Sequence, residues 1–354
     1  MSLFEKHPNF DIIGKRAYAL GLSGLIVLGG LGAWVAGGGL PLGIDFSGGT
    51  LIVLEFDRPT SEVTVRDALT AVEEKDVRTY GDSGGGIQIR LPQSGAEQGL
   101  SLEQGAEAVV SILGSSALGD FEEISRELVG PVIGAELKQR GFSAFGFAMA
   151  GILAYVAWRF SFSFAVGAIV AVIHDVAITL ALLMFFGYEL SLNVVAAMLA
   201  ITGYSVNDSI VVFDRVRENL RALRRDSFET VVNTSVNQTL ARTIITSGTT
   251  VFTALSLFLF GGEVLRGFAF TILVGVISGT YSTIFIASSV AIAITKRRAV
   301  RRSRQAAVPA SSPRPDRRVS TQRADKTARS ARSPRSPRSP RSRPKGPGSK
   351  APAS

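Results

Sequence analysis

The sequence contains no cysteine among its 354 residues, so no disulfide and no thiolate metal site can be built from it. Histidine is nearly absent too, since His7 and His174 alone offer too few imidazoles for a histidine-based metal centre. No P-loop occurs, which removes the usual signature of ATP as an energy source. The stretch Gly43-Ile-Asp-Phe-Ser-Gly-Gly-Thr50 has glycines able to cradle a phosphate, but it enters a predicted strand rather than a helix. A structural turn that locks a folded domain to the preceding segment is the better reading, and no cofactor is expected.

Over long stretches the sequence also lacks charge. Its averages, 46% hydrophobic and 19% charged, would suit a soluble protein, but the apolar residues are gathered in blocks. Ala17 to Ala36 runs twenty residues without a charge. A signal peptide would have an apolar core of only about 7–15 residues, so a retained membrane anchor is expected. Five more runs follow, Gly141–Trp158, Phe164–Tyr188, Leu190–Phe213, Thr243–Gly262 and Gly267–Thr295. Each is near the roughly 20 residues needed to cross a bilayer core, which makes six spans.

The net charge of +9 belongs to one end of the chain. Residues 296–354 hold 19 Lys and Arg against two Asp, and the remainder carries 19 basic against 27 acidic residues. Within the spanning region the positive residues cluster on one side: the amino end, Arg159, an Arg-rich loop over 214–242, and Lys296-Arg297-Arg298. Both termini are therefore expected in the cytoplasm. The expected division is a cytoplasmic end (1–16), a first span (17–36), an extracytoplasmic domain (37–140), five further spans (141–298) and a basic tail (299–354). The tail ends in Ser-Pro-Arg repeats, cannot bury a core, and is expected to be disordered and to meet anionic lipid head groups through generic electrostatics.

Residues 37–140 carry 17 acidic and eight basic side chains and have turn-rich borders, as a water-exposed domain should. The pattern gives a strand at 51–56, a helix at 61–75, strands at 77–80 and 87–91, a helix at 102–113 and a strand at 121–129. This βαββαβ order predicts a small α+β, ferredoxin-like domain between the first and second spans.

Chemistry concentrates in the fourth span, where Asn207 and Asp208 interrupt an apolar helix. An ionisable residue at that depth is a functional hypothesis by default. Its nearest candidate partner is Arg242, at the head of the next apolar run, where pairing inside the bundle and snorkelling to the surface are both open. Arg242, Thr246, Thr249, Thr253 and Ser256 fall on one helix face. His174 and Asp175 lie mid-way along the third span and are further proton-relay candidates, because carboxylates and an imidazole with shiftable protonation are what a proton path requires. Thr271, Gly275, Ser278, Gly279 and Ser282 form a small-residue face on the sixth span and suggest packing rather than chemistry.

With these residues in hand, the chain resembles the SecF family, the smaller membrane subunits of the bacterial SecDF protein-export complex, which is akin to the resistance-nodulation-division transporters. The resemblance rests on the Gly43–Thr50 stretch, Val129-Gly-Pro-Val-Ile-Gly-Ala-Glu-Leu137, His174-Asp175, the run Gly203–Asn219 and the run Gln238–Thr250. It implies a six-helix bundle of the resistance-nodulation-division type, pairing with SecD, docking on SecYEG with SecA and with YajC, and use of the proton motive force to promote preprotein translocation. It also implies a proton relay at Asp208 and Arg242, with Asn207 beside them. The alternative is half of a proton-driven lipid or drug exporter of the same superfamily, though such exporters usually repeat the six-helix unit with larger outer domains.

Overall fold

The computed structural model describes residues 10–37, 39–72, 75–79, 84–92 and 102–306. Helix α1 (Arg16–Ala36) leads through a one-turn helix α2 (Ile44–Ser47) into a sheet domain. The domain consists of β1 (Gly49–Phe56), α3 (Glu62–Ala68), β2 (Asp76–Thr79), β3 (Gly86–Leu91), α4 (Leu102–Gly114) and β4 (Phe121–Val129). Its strands are ordered β2-β3-β1-β4, antiparallel throughout, with Ile52 opposite Ile89 on one side and Arg126 on the other. Alternation along the strands puts Ile52, Leu54, Ile87 and Ile89 under α3 and α4, where Val65, Leu69, Val109 and Leu113 close an apolar core.

The remaining helices are α5 (Pro131–Arg159), α6 (Phe162–Phe185), α7 (Leu192–Ala222), α8 (Phe228–Phe260), α9 (Glu263–Ser282) and α10 (Ser288–Ala306). A π-helical turn, Thr283–Ala287, joins the last two. Among the described residues six helical runs are long and apolar enough to cross a membrane, with α9 to α10 acting as one. Local chemistry fixes where these helices start. Pro131 opens α5, and the hydroxyls of Ser191 and Ser227 accept from the backbone N–H of Val194 and Thr230. Gly262, at φ 73°, makes the reversal from α8 into α9 in a left-handed conformation that a side chain would oppose.

Helices α6, α7 and α9–α10 form the buried centre, and α1, α5 and α8 lie around it. One apolar cluster, including Phe160, Phe164, Phe213 and Ile292, fills the end of the bundle near the α7–α8 connection. Another, including Phe46, Leu183, Met198 and Phe270, fills the end beneath the sheet domain. Buried polar side chains gather between them on α6, α7 and α9.

Several elements depart from the sequence reading. The helix expected over 61–75 stops at Ala68, and the Gly43–Thr50 stretch contains the one-turn α2 instead of only a turn. The Arg-rich loop expected over 214–242 is mostly two helix extensions that leave only 223–227 as connection. These extensions are held by polar bonds that a hydropathy pattern cannot show. Asn219 Nδ2 donates to Ser235 Oγ (2.9 Å) and to Gln238 Oε1 (2.8 Å), and Arg215 Nε donates to the same Gln238 oxygen (2.6 Å). The tail expected to begin at Ala299 is helical through Ala306, and the rest of it lies outside the described residues. Phe10 to Ile13, read as part of a polar end, are strapped to α8: Asn237 Oδ1 accepts from the Phe10 N–H (2.9 Å), Asn233 Oδ1 accepts from Ile12 (3.0 Å), and Ile12 and Ile13 are buried.

Candidate proton-relay site and family membership

Asp208 is buried in the middle of α7, and its Oδ1 accepts one hydrogen bond from the Thr243 hydroxyl on α8 (2.8 Å). No donor among the described residues reaches its other oxygen, Oδ2, which is itself buried. Such an oxygen needs an explanation, because burying a carboxylate without partners is costly. Above it on α7, Tyr204 donates to Ser247 Oγ (3.3 Å), which shares a hydrogen bond with Thr280 Oγ1 (2.6 Å). Hydroxyls therefore line the α7–α8–α9 seam next to the carboxylate.

Arg242 precedes the Thr243 that binds Asp208, but its own side chain is exposed and forms no hydrogen bond or ion pair with the carboxylate in the described structure. The helix register explains this: Thr243 points into the seam, which turns Arg242, one residue back, about 100° away. Thr246, Thr249 and Thr253 continue the exposed stripe, each donating to a backbone carbonyl of its own helix. Asn207 is exposed on α7 beside Gly203. Asp208 and Arg242 thus lie on neighbouring helices, with Asp208 facing inward and Arg242 and Asn207 facing outward.

The second pair is more fully bonded. Asp175 is 2% exposed, and its Oδ1 meets Ser278 Oγ (2.8 Å) and His174 Nδ1 (3.1 Å). Its Oδ2 accepts from Ser205 (2.6 Å) and Ser282 (2.7 Å). His174 Nε2 meets Ser23 Oγ on α1 (2.9 Å), which meets Tyr281 Oη (3.0 Å). The sequence reading brought His174 and Asp175 forward but treated the sixth span as a packing face and passed over Ser23, Ser205 and Tyr281. The signal was present in the i, i+4 spacing of Ser278 and Ser282, since a buried carboxylate requires donors and serine supplies them at low bulk. The same face also packs closely, and a Cβ added to Gly279 would come within 3.1 Å of Ser205 Cβ.

Two segment comparisons bear on this arrangement. Residues 109–297 match the model for "Protein export membrane protein SecD/SecF, C-terminal", and residues 33–60 match the "SecD/SecF GG Motif". The chain belongs to the SecD/SecF family. It is 43% identical over 282 residues to the protein translocase subunit SecF of Desulfurispirillum indicum, covering 77% of this chain and 88% of that one. It is 40% identical over 291 residues to SecF of Escherichia coli O157:H7, covering 82% and 89%. It also superposes on the crystal structure of SecDF, a translocon-associated membrane protein from Thermus thermophilus, at a TM-score of 0.74 and 36% identity. That comparison covers 83% of this chain but only 40% of the longer SecDF chain.

The SecD/SecF match to the GG motif falls where the sheet domain meets the bundle. Gly48 and Gly49 have φ 68° and 120°, and a Cβ on Gly134 of α5 would come within 3.0 Å of the Gly48 nitrogen. Asp45 Oδ2 accepts from the Leu192 N–H (2.8 Å) and so caps α7. Leu42 pairs with Leu190, Gly43 N donates to Leu190 O (2.9 Å), and Leu190 N donates to Pro41 O (2.7 Å). Arg90 of β3 binds Glu189 (3.1 Å), the Leu42 carbonyl (3.0 Å) and Ser47. In this SecD/SecF chain the motif is a joint, with the α6–α7 connection as its membrane side.

Proposed function

We propose that the chain is the SecF subunit of a proton-driven export machine in the bacterial inner membrane, with both termini cytoplasmic and the sheet domain outside. It works with SecD, docks on SecYEG with SecA and YajC, and uses the proton motive force, with no bound cofactor, to promote translocation of a preprotein. The family match and the multi-pass bundle support the export role, and the partners other than SecD follow from the resemblance. The βαββαβ order with strands arranged β2-β3-β1-β4 supports reading the outer domain as ferredoxin-like. The basic end after Lys296 is suited to anionic lipid head groups.

The observation that carries the proton-driven reading is the Asp208 Oδ2 atom, buried in a membrane span with no donor on it among the described residues. A carboxylate held by one threonine can take a proton or an approaching cation at that oxygen, and Arg242 is on the adjoining helix to supply the cation. Asp208 gains and loses a proton as Arg242 withdraws and approaches, with Asn207 beside them on the same face as the arginine. His174 and Asp175 are further candidates for the same path. The exposed polar stripe Arg242, Thr246, Thr249 and Thr253 would be costly against lipid, which supports SecD covering that side.

Preprotein translocation into vesicles holding the reconstituted complex, with and without a proton gradient, tests the reading. Asp208→Asn keeps size and hydrogen bonding but removes the titration, so the complex should assemble and lose its gradient-dependent stimulation. A full response to the gradient in that variant would make Asp208 a packing residue.

A further inference from the structure

Hydrogen-bond direction around His174 can be worked out from a fixed end. Tyr281 Oη lies against the Ala19 carbonyl, which can only accept, so Tyr281 spends its single proton there. The Ser23 hydroxyl, 3.0 Å from that phenol oxygen, must then donate to it. Having spent its proton, Ser23 Oγ can only accept from His174 Nε2 at 2.9 Å, so Nε2 carries a hydrogen. What remains is the contact from Nδ1 to Asp175 Oδ1 at 3.1 Å. A bare Nδ1 facing a bare carboxylate would set two lone pairs against each other. One proton must lie between them, either on Nδ1 as imidazolium with carboxylate or on the carboxyl with neutral imidazole.

The surroundings favour the same count. Ser205, Ser278 and Ser282 all converge on the Asp175 oxygens, and among the described residues no Lys or Arg bonds to either member of the pair. With one proton the pair is net neutral in either form, which a site between two apolar clusters of a membrane bundle requires. Asp208 lies three residues beyond Ser205 on α7, close to the same helix face. We propose that His174 and Asp175 form a dyad that holds one shared proton, a second proton-binding site one turn of α7 from Asp208. The dyad deepens the proton-coupled reading and rests on it only for its role, because the proton count follows from geometry.

The test uses the chain's two histidines. With His7→Gln and ¹⁵N-histidine incorporated into this chain only, the complex assembled in bilayers with unlabelled partners gives signals from His174 alone. Nitrogen NMR reports whether one or both ring nitrogens are protonated, and infrared spectroscopy reports the Asp175 carboxyl, assigned by its loss in Asp175→Asn or, if that variant fails to assemble, by its shift in Ser278→Ala. Both nitrogens protonated with an ionised carboxylate, or one protonated with a carboxylic acid, is the expected result. A neutral ring beside an ionised carboxylate, or a doubly protonated ring beside an acid, overturns the proposal. These readouts need no gradient, so they succeed or fail independently of the Asp208 assay.

Discussion

Two buried aspartates in this bundle have opposite surroundings, and the difference decides what each can do. Asp175 is surrounded by donors, whereas Asp208 has a single threonine on one oxygen. Removing a donor from the first should therefore act on stability: Ser278→Ala is expected to cost about 1.5–3 kcal/mol, the range for hydrogen bonds to charged groups, read as a lower melting temperature in detergent. Changing the cation near the second should act on function. Arg242→Lys keeps the charge but loses the planar fork, so gradient-driven translocation should fall less than with Arg242→Met. In the sheet domain, burial pushes the Glu127 carboxyl above the usual carboxylate range, and the Asp45 charge adds to that. The native state thus favours the protonated acid, so this group's stabilisation is fully present below its ordinary value of about 4.3 and is lost as pH rises through the raised one. Glu127→Gln should raise the melting temperature relative to the parent near pH 7, and the gain should shrink toward pH 4.

At the scale of helices, the spans themselves were legible because crossing a bilayer imposes length and apolarity that a sequence shows directly. The extensions of α7 and α8 were not, because beyond the membrane their side chains are polar and the bonds of Asn219, Gln238 and Ser235 form only once the two helices lie together. The donors to Asp175 were hidden for a related reason. Serines that supply hydrogen bonds and serines that merely allow close packing have the same spacing, and α9 uses them for both. Asp208 was legible as an anomaly, yet its contact proved to be Thr243 rather than Arg242, because neighbouring residues on a helix point in different directions. The α7–α9 seam also admits a packing test. A side chain on Gly275 would collide with Ile201, so Gly275→Val should destabilise the bundle by about 1–3 kcal/mol, measurable as a shift in thermal unfolding.

For the whole molecule, the joint at the α6–α7 connection is what ties the sheet domain to the bundle. Glu189 receives both Arg90 and Arg78 (3.3 Å), and a short backbone ladder runs beside it. Glu189→Gln should speed amide hydrogen exchange in residues 41–45 and 187–191 while leaving the core of α7 protected. The lack of native cysteine makes the orientation directly testable. A single cysteine at Ser115 should react with an impermeant thiol reagent added outside intact cells, and one at Ser303 should react only after the membrane is opened.

The strap of Phe10 to Ile13 has a consequence for how the chain is made. Phe10 is held by Asn237, 227 residues later, so a segment made before the first span is clasped by a helix made after the fourth. Throughout synthesis of the first span, the sheet domain and the next three helices, that clasp has nothing to close on. A nascent chain stalled before Asn233 leaves Ile12 and Ile13 without the oxygen that holds them, and one that has completed α8 does not. Protease access at residues 10–13 would therefore tell a complete bundle from an incomplete one.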